Sequence, residues 1–142
     1  MTRPSFTMSF VAAPEHIDEL GHVNNAVWVQ WIQEVATSHW YSAAPADYRD
    51  AYVWVVVRHE IDYLRAAMPG DRVTARTWVG DAPQGASFDR FMEFTGEDGK
   101  VKVRARTTWA MLDKATSRPQ RITREIVAPF LGEPLAAGHQ PG

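Results

Sequence analysis

Six side chains with chemical potential crowd into one stretch of the chain: His16, Asp18, Glu19, His22, Asn24 and Asn25. Their types and spacing admit three readings. His and Asp are good metal ligands, but this spacing fits no metal-binding motif, and none of the ligands is fixed on a helical face as such sites require. Asp and Asn in a loop also serve structure alone, because their side chains accept from nearby backbone N–H groups. The third reading is an acid–base or nucleophilic site beside a helix start. There a carboxylate can attack a carbonyl or activate water. The free N–H groups of the first helical turn can polarise that carbonyl and hold an oxyanion.

The elements that must position these residues are legible around them. Residues 5–12 are short, partly β-branched and aromatic, and read as a strand. A loop follows from Ala13 to about Val23. Asn24 or Asn25 then caps a helix, since an Asn side chain accepts from the free amides of a first turn. Val27, Trp28, Trp31, Ile32 and Val35 recur at three and four and form one apolar stripe, with Gln30, Gln33 and Thr37 on the other side. The helix is expected to end before Pro45. Beyond about Tyr52 the pattern changes to strands. Tyr52–Leu64 opens with the continuous apolar run 53–57, which predicts a central strand buried on both faces at one end. It then alternates through His59, Ile61 and Tyr63. Arg72–Val79, Ser87–Thr95 and Val101–Leu112 alternate as well, separated by a turn at Pro69-Gly70 and a hairpin at Asp98-Gly99. Residues 122–131 predict a short terminal helix or turn. One helix and five strands joined mostly by tight turns give an α+β layout with an antiparallel sheet. A single helix covers only one sheet face, so self-association is expected.

Length and charge set the outer limits. At 142 residues with 45% apolar content, the chain suits one domain with one sizeable core. We expect that domain to occupy residues 1–131, with a flexible C-terminal tail over 132–142. A net charge of -2 argues against nucleic acid or an anionic membrane as the main partner. The absence of cysteine removes disulfides, thiolate metal sites and a cysteine nucleophile together. No Gly-x-Ser-x-Gly elbow, phosphate-binding glycine loop or dinucleotide fingerprint occurs. Neither a signal peptide nor a membrane-spanning run is present, so the expected location is cytoplasmic. The six tryptophans fit a core or subunit interface first and an acyl pocket second.

The segment Asp18-x-x-Gly21-His22-Val23-Asn24-Asn25-x-x-Trp28-x-x-Trp31 resembles the signature of the 4-hydroxybenzoyl-CoA thioesterase-like family, the YbgC and FadM group of hotdog acyl-CoA thioesterases. The stretch 55–63 resembles that family's long second strand, and Pro69-Gly70-Asp71 its usual turn. The resemblance implies the hotdog fold, one long helix wrapped by a five-stranded antiparallel sheet. It implies hydrolysis of acyl-CoA to a carboxylic acid and CoA by a homodimer or dimer of dimers, with no metal or organic cofactor. The catalytic carboxylate falls on Asp18, as nucleophile or general base, and the oxyanion donor on the Asn25 backbone amide. His22 would line the site. Gly21, Val23, Asn24, Trp28, Arg58, His59 and Glu34 are the further candidates for binding substrate. Two positions depart from the pattern. Gln33 stands where a helix carboxylate is usual, leaving Glu34 as the displaced alternative, and Trp28 stands where Tyr is usual.

Two other functions are compatible with the chain. One is a hotdog enoyl-CoA hydratase or dehydratase, although Leu20-Gly21 precedes His22 where that group carries Asn-Pro. The other is a non-catalytic acyl-CoA-binding protein. For the CoA phosphates, Arg90, Lys102, Arg104 and Arg106 on the later strands are the available cations, and a solvated sheet face is the simpler expectation for each.

Overall fold

The computed structural model describes residues 4–80 and 82–131, so the expected tail at 132–142 lies outside the described residues. The strands are β1 (Phe6–Val11), β2 (Tyr52–Tyr63), β3 (Arg72–Val79), β4 (Ser87–Gly96) and β5 (Val101–Asp113). The helices are α1 (Asn25–Ala43), α2 (Ala46–Ala51) and α3 (Arg124–Val127). All five strands join one antiparallel sheet in the order β1-β3-β4-β5-β2. The expected α+β architecture is present.

Helix α1 starts where Asn24 caps it and ends ahead of Pro45, as its sequence predicts. Its stripe of Val27, Trp28, Trp31, Ile32, Val35 and Trp40 is buried against the concave side of the sheet. Gln33 and Glu34 stay exposed on the other side. Pro45 begins the short α2, which the sequence reading missed. Thr123 caps α3, accepting from the Ile126 N–H at 3.3 Å.

The run 53–57 does not make a central strand. Strand β2 is a sheet edge, paired only with β5. Val55 and Val57 are 41% and 62% exposed. A continuous apolar run suits any strand whose second face must be covered, and here the same chain leaves that face open. A β-bulge at Val57 resets the alternation. Trp54 and Val56 face inward before it, and His59, Ile61 and Tyr63 face inward after it, opposite Thr107, Ala105 and Val103.

The inner face of the sheet carries two apolar cores. Under the first half of α1 lie Val73, Ala75, Met92, Phe94, Val103 and Ala105. Under the second half lie Val79, Phe88, Met111, Ile126, Val127 and Phe130. A polar band separates the two. In four of the five strands the inward-facing row changes type at one position: Thr77 in β3, Arg90 in β4, Thr107 in β5 and His59 in β2, with His39 above them on the helix. His39, Thr77, Arg90 and Thr107 are buried.

Candidate active site

The loop between β1 and α1 is held by its own hydrogen bonds. An isolated bridge pairs Ile17 with Val23, and the Asp18 N–H donates to the His22 carbonyl at 2.9 Å. The Gly21 N–H donates back to the Asp18 carbonyl at 3.0 Å. Closing so tight a turn puts Gly21 at φ 80, where a side chain is strained. Val23 is tied to the Ala67 carbonyl at 2.9 Å, and Asn24 to the His16 carbonyl at 2.9 Å. His16 is structural: its Nδ1 accepts from the Ala13 N–H at 2.9 Å, and its ring meets Trp31 edge-on.

Asp18 uses one carboxylate oxygen for the loop. Oδ1 accepts from the Leu20 N–H at 2.9 Å and from the His22 N–H at 3.4 Å. Oδ2 accepts from no described residue. At the helix start, Asn24 Oδ1 accepts from the Ala26 N–H at 2.8 Å, and the Val27 N–H donates to the Asn24 carbonyl at 2.9 Å. That leaves the Asn25 N–H, the first amide of the helix, without a partner among the described residues. Asp18 and Asn25 border the same open cavity of about 390 Å³. The loop reading and the site reading are therefore compatible: one Asp18 oxygen holds the turn, the other accepts from no described residue, and Asp18 and Asn25 both border the cavity.

Asp18, His22, Val23, Asn24, Asn25 and Trp28 all line this cavity. Gly21 shapes the turn between them. Trp28 is mostly core at 2% exposed, with Trp31 and Phe94 edge-on at 5.2 Å. The opposite wall comes from Tyr63, Leu64, Arg65 and Ala66 at the end of β2, which the sequence reading did not single out. The signal for them was present: Tyr63-Leu64-Arg65 follows the alternating strand that the resemblance covers.

Three candidates lie elsewhere. Arg58 faces outward beyond the bulge and pairs with Glu60 at 2.6 Å. His59 belongs to the polar band, its Nδ1 3.0 Å from Thr107 Oγ1, and burial lowers its pKa. Glu34 is exposed and does not border the cavity.

The candidate phosphate cations divide as well. Arg104 and Arg106 face outward and pair with Glu93 at 3.7 Å and Asp89 at 2.7 Å. Lys102 reaches the Ala66 carbonyl at 3.3 Å. Arg90 does not belong to that outer face. It points inward from β4 and is 9% exposed, with Nη1 2.9 Å from His39 Nδ1 and 3.0 Å from Thr77 Oγ1. Because His39 accepts from a guanidinium through Nδ1, its proton sits on Nε2. Burial, then the Arg90 charge, pushes the His39 pKa down to about 3. Among the described residues no group of three His, Asp or Glu side chains is placed to hold a metal. No described helix is long and apolar enough to cross a membrane.

A single long helix packed in the curve of a five-stranded antiparallel sheet, with a polar loop at its start, defines a hotdog-fold protein. Residues 12–130 match the model of the thioesterase-like superfamily, and the chain belongs to that family. A palmitoyl-acyl carrier protein thioesterase of Gossypium hirsutum is 27% identical over 111 residues, covering 70% of this chain and 27% of the relative. The chain thus spans about a quarter of the length of the curated relatives it matches. Among solved structures, an acyl-ACP thioesterase from Bacteroides thetaiotaomicron is 27% identical, covering 97% of this chain and 57% of that one, with a TM-score of 0.77. A Staphylococcus aureus protein solved in complex with CoA reaches a TM-score of 0.81 at 18% identity, covering 99% and 96%, and supports the fold.

Proposed function

We propose that the chain is an acyl-CoA thioesterase, with residues 1–131 forming its one catalytic domain and Asp18 as the working carboxylate. The observation that carries this is that Asp18 and Asn25 line one cavity while a carboxylate oxygen of the first and the backbone amide of the second have no partner among the described residues. The thioester carbonyl oxygen accepts from the Asn25 N–H, with the positive end of α1 behind it. Asp18 Oδ2 then takes one of two courses. As general base it removes a proton from water, whose oxygen adds to the carbonyl carbon. As nucleophile it adds to that carbon itself, and water cleaves the resulting anhydride. In either course the C–S bond breaks, the thiolate leaves as CoA, and the acyl group ends as a carboxylate. His22, Val23, Asn24 and Trp28 would frame the acyl thioester, and Arg65, on the wall of the same cavity, would supply a cation for phosphate. The loop pattern Gly21-His22-Val23-Asn24-Asn25 supports placing the chain in the YbgC and FadM group.

The names of the 27%-identical relatives favour a second thioester carrier, acyl carrier protein, with the same chemistry. The test is release of free thiol from matched acyl-CoA and acyl-carrier-protein panels, by wild type and Asp18→Asn. A wild type that releases no thiol, or an Asp18→Asn enzyme as fast as wild type, would sink the mechanism. Release from the carrier protein alone would reassign the substrate.

The open edge of β2, with Val55 and Val57 exposed, supports a homodimer or dimer of dimers. Sedimentation of wild type beside Val57→Lys tests it; a monomeric wild type would refute it. Such an enzyme would work in the cytoplasm without metal or organic cofactor.

A further inference from the structure

A second cavity, of about 220 Å³, lies under the last turns of α1 and is separate from the Asp18 cleft. Its helix residues run from Ala36 to Tyr41, which is roughly 17–24 Å along the axis from Asn25. The body of the cavity is apolar, with Trp40 and Phe130 stacked at 5.7 Å. Thr37, Tyr41, Tyr52, Asp89 and Lys114 stand on its lining too, but its buried unpaired groups are all N–H donors. Arg49 Nε, Trp54 Nε1 and Trp109 Nε1 all border it, all are buried, and none has an acceptor among the described residues. Arg90 borders it too. Both of its protein contacts use Nη1, so Nε and Nη2 donate to no described residue. No described carboxylate pairs with it. Asp89 touches the cavity, but its two oxygens are engaged by Arg106 at 2.7 Å and Thr108 at 2.8 Å on the outer face of the sheet.

Buried donors without acceptors are costly, and native proteins rarely keep them. Three such donors in one cavity, on Arg49, Trp54 and Trp109, beside the buried Arg90 cation, describe the imprint of an acceptor-rich anion. A water cluster would not balance the charge. A guanidinium binds a carboxylate by two parallel N–H donors, which is how Nε and Nη2 are arranged.

We propose that this cavity binds an amphipathic carboxylate, with its apolar body against Trp40 and Phe130 and its carboxylate on Arg90 and the two indole N–H groups. Burial lowers the Arg90 pKa only to about 10, so the cation is present at neutral pH. The ligand is a free carboxylate such as a thioester hydrolysis product, because the cavity is separate from the Asp18 cleft and roughly 17–24 Å along the helix from Asn25. The binding itself does not depend on the thioesterase reading.

The experiment is titration of the full chain with octanoate and with 1-octanol, followed by calorimetry and tryptophan fluorescence. Octanoate is expected to bind wild type at least roughly tenfold more tightly than octanol, and Arg90→Met to abolish that preference. Trp109→Phe removes one N–H and little volume. It is expected to weaken octanoate by about threefold to tenfold and leave octanol unchanged, which keeps the test alive if Arg90→Met does not fold. Hydrolysis gives a further check: because the site takes a free carboxylate and not the far end of the reacting acyl group, octanedioyl-CoA monothioester and octanoyl-CoA are expected to react alike, and a roughly tenfold gap in kcat/KM erased by Arg90→Met would overturn that assignment. Equal binding of octanoate and octanol overturns the proposal. So does octanoate binding that survives both substitutions, or no octanoate binding at all.

Discussion

The two ends of helix α1 make cavities of opposite character from the same pair of elements. At its start, an open cleft is bordered by a loop carboxylate and a free amide, so it presents an acceptor and a donor together. At its end, an aromatic cavity presents three buried N–H donors that no described residue pairs, beside a buried arginine. The first arrangement suits a carbonyl carbon under attack, where charge must appear on one oxygen and a proton must leave another. The second suits a group whose charge does not change, held in place. The polar band of Thr77, Arg90, Thr107, His59 and His39 is the boundary between them.

The sharpest way to break this comparison is Asp18→Asn. The amide keeps an oxygen for the Leu20 and His22 N–H groups, so the turn survives while the charge is lost. We expect kcat/KM for thioester hydrolysis to fall on the order of 10³-fold, about 4 kcal/mol in the barrier. A smaller loss than tenfold would move the chemistry away from the helix start.

Next in size is the acid limb of stability, which tests the boundary. His39 is held neutral in the fold, with its pKa near 3 against 6.5 when unfolded. Below pH 6.5 the unfolded chain binds the proton and the folded chain does not, so stability is lost as pH falls from 6.5 toward 3. Between pH 7 and pH 4 the loss from this group is roughly 3 kcal/mol. Urea unfolding at those two values should show it. His39→Gln keeps an acceptor for Arg90 without titrating, and should flatten that limb; an unchanged limb would remove His39 as its cause.

Smaller effects probe how firmly the cleft is preset. Gly21→Ala should cost about 1–2 kcal/mol, because nothing crowds the new Cβ and the penalty is the φ of 80 alone. Gly21→Asn should recover part of it, as Asn adopts that conformation more readily. Asn24→Ala removes the cap and should cost about 1 kcal/mol in thermal or urea unfolding. If either substitution lowers kcat/KM by more than its stability cost suggests, loop and helix start act as one preorganised unit.

Much of the open cleft was legible because its parts are close in sequence. Asp18 holds the turn at Gly21, and Asn24 caps the helix at Asn25, each through hydrogen bonds spanning two to four residues, so residue type and spacing nearly dictate the turn and the cap. The far wall, Tyr63 to Ala66, required knowing that the end of β2 folds back beside that loop. The donor-lined cavity was less accessible still. Arg90 shares its parity with Phe88, Met92 and Phe94, which placed it on an apolar face, yet a basic residue in an alternating strand reads first as solvated. The apolar run 53–57 misled for the same reason: its composition is right for burial, and composition does not say by what.

Local pattern alone determined that this chain forms one long capped helix, five strands and a loop with a carboxylate beside a helix start. Those features depend on side-chain periods of 3.6 and 2 and on hydrogen bonds within a few residues. Tertiary structure decided which strand lies at the edge, that a bulge at Val57 turns His59 inward and Arg58 out, and that Arg90 meets His39, 51 residues away, at 2.9 Å. Strand order and register are set by the sum of long-range packing over the whole sheet. No short stretch of the chain carries that sum.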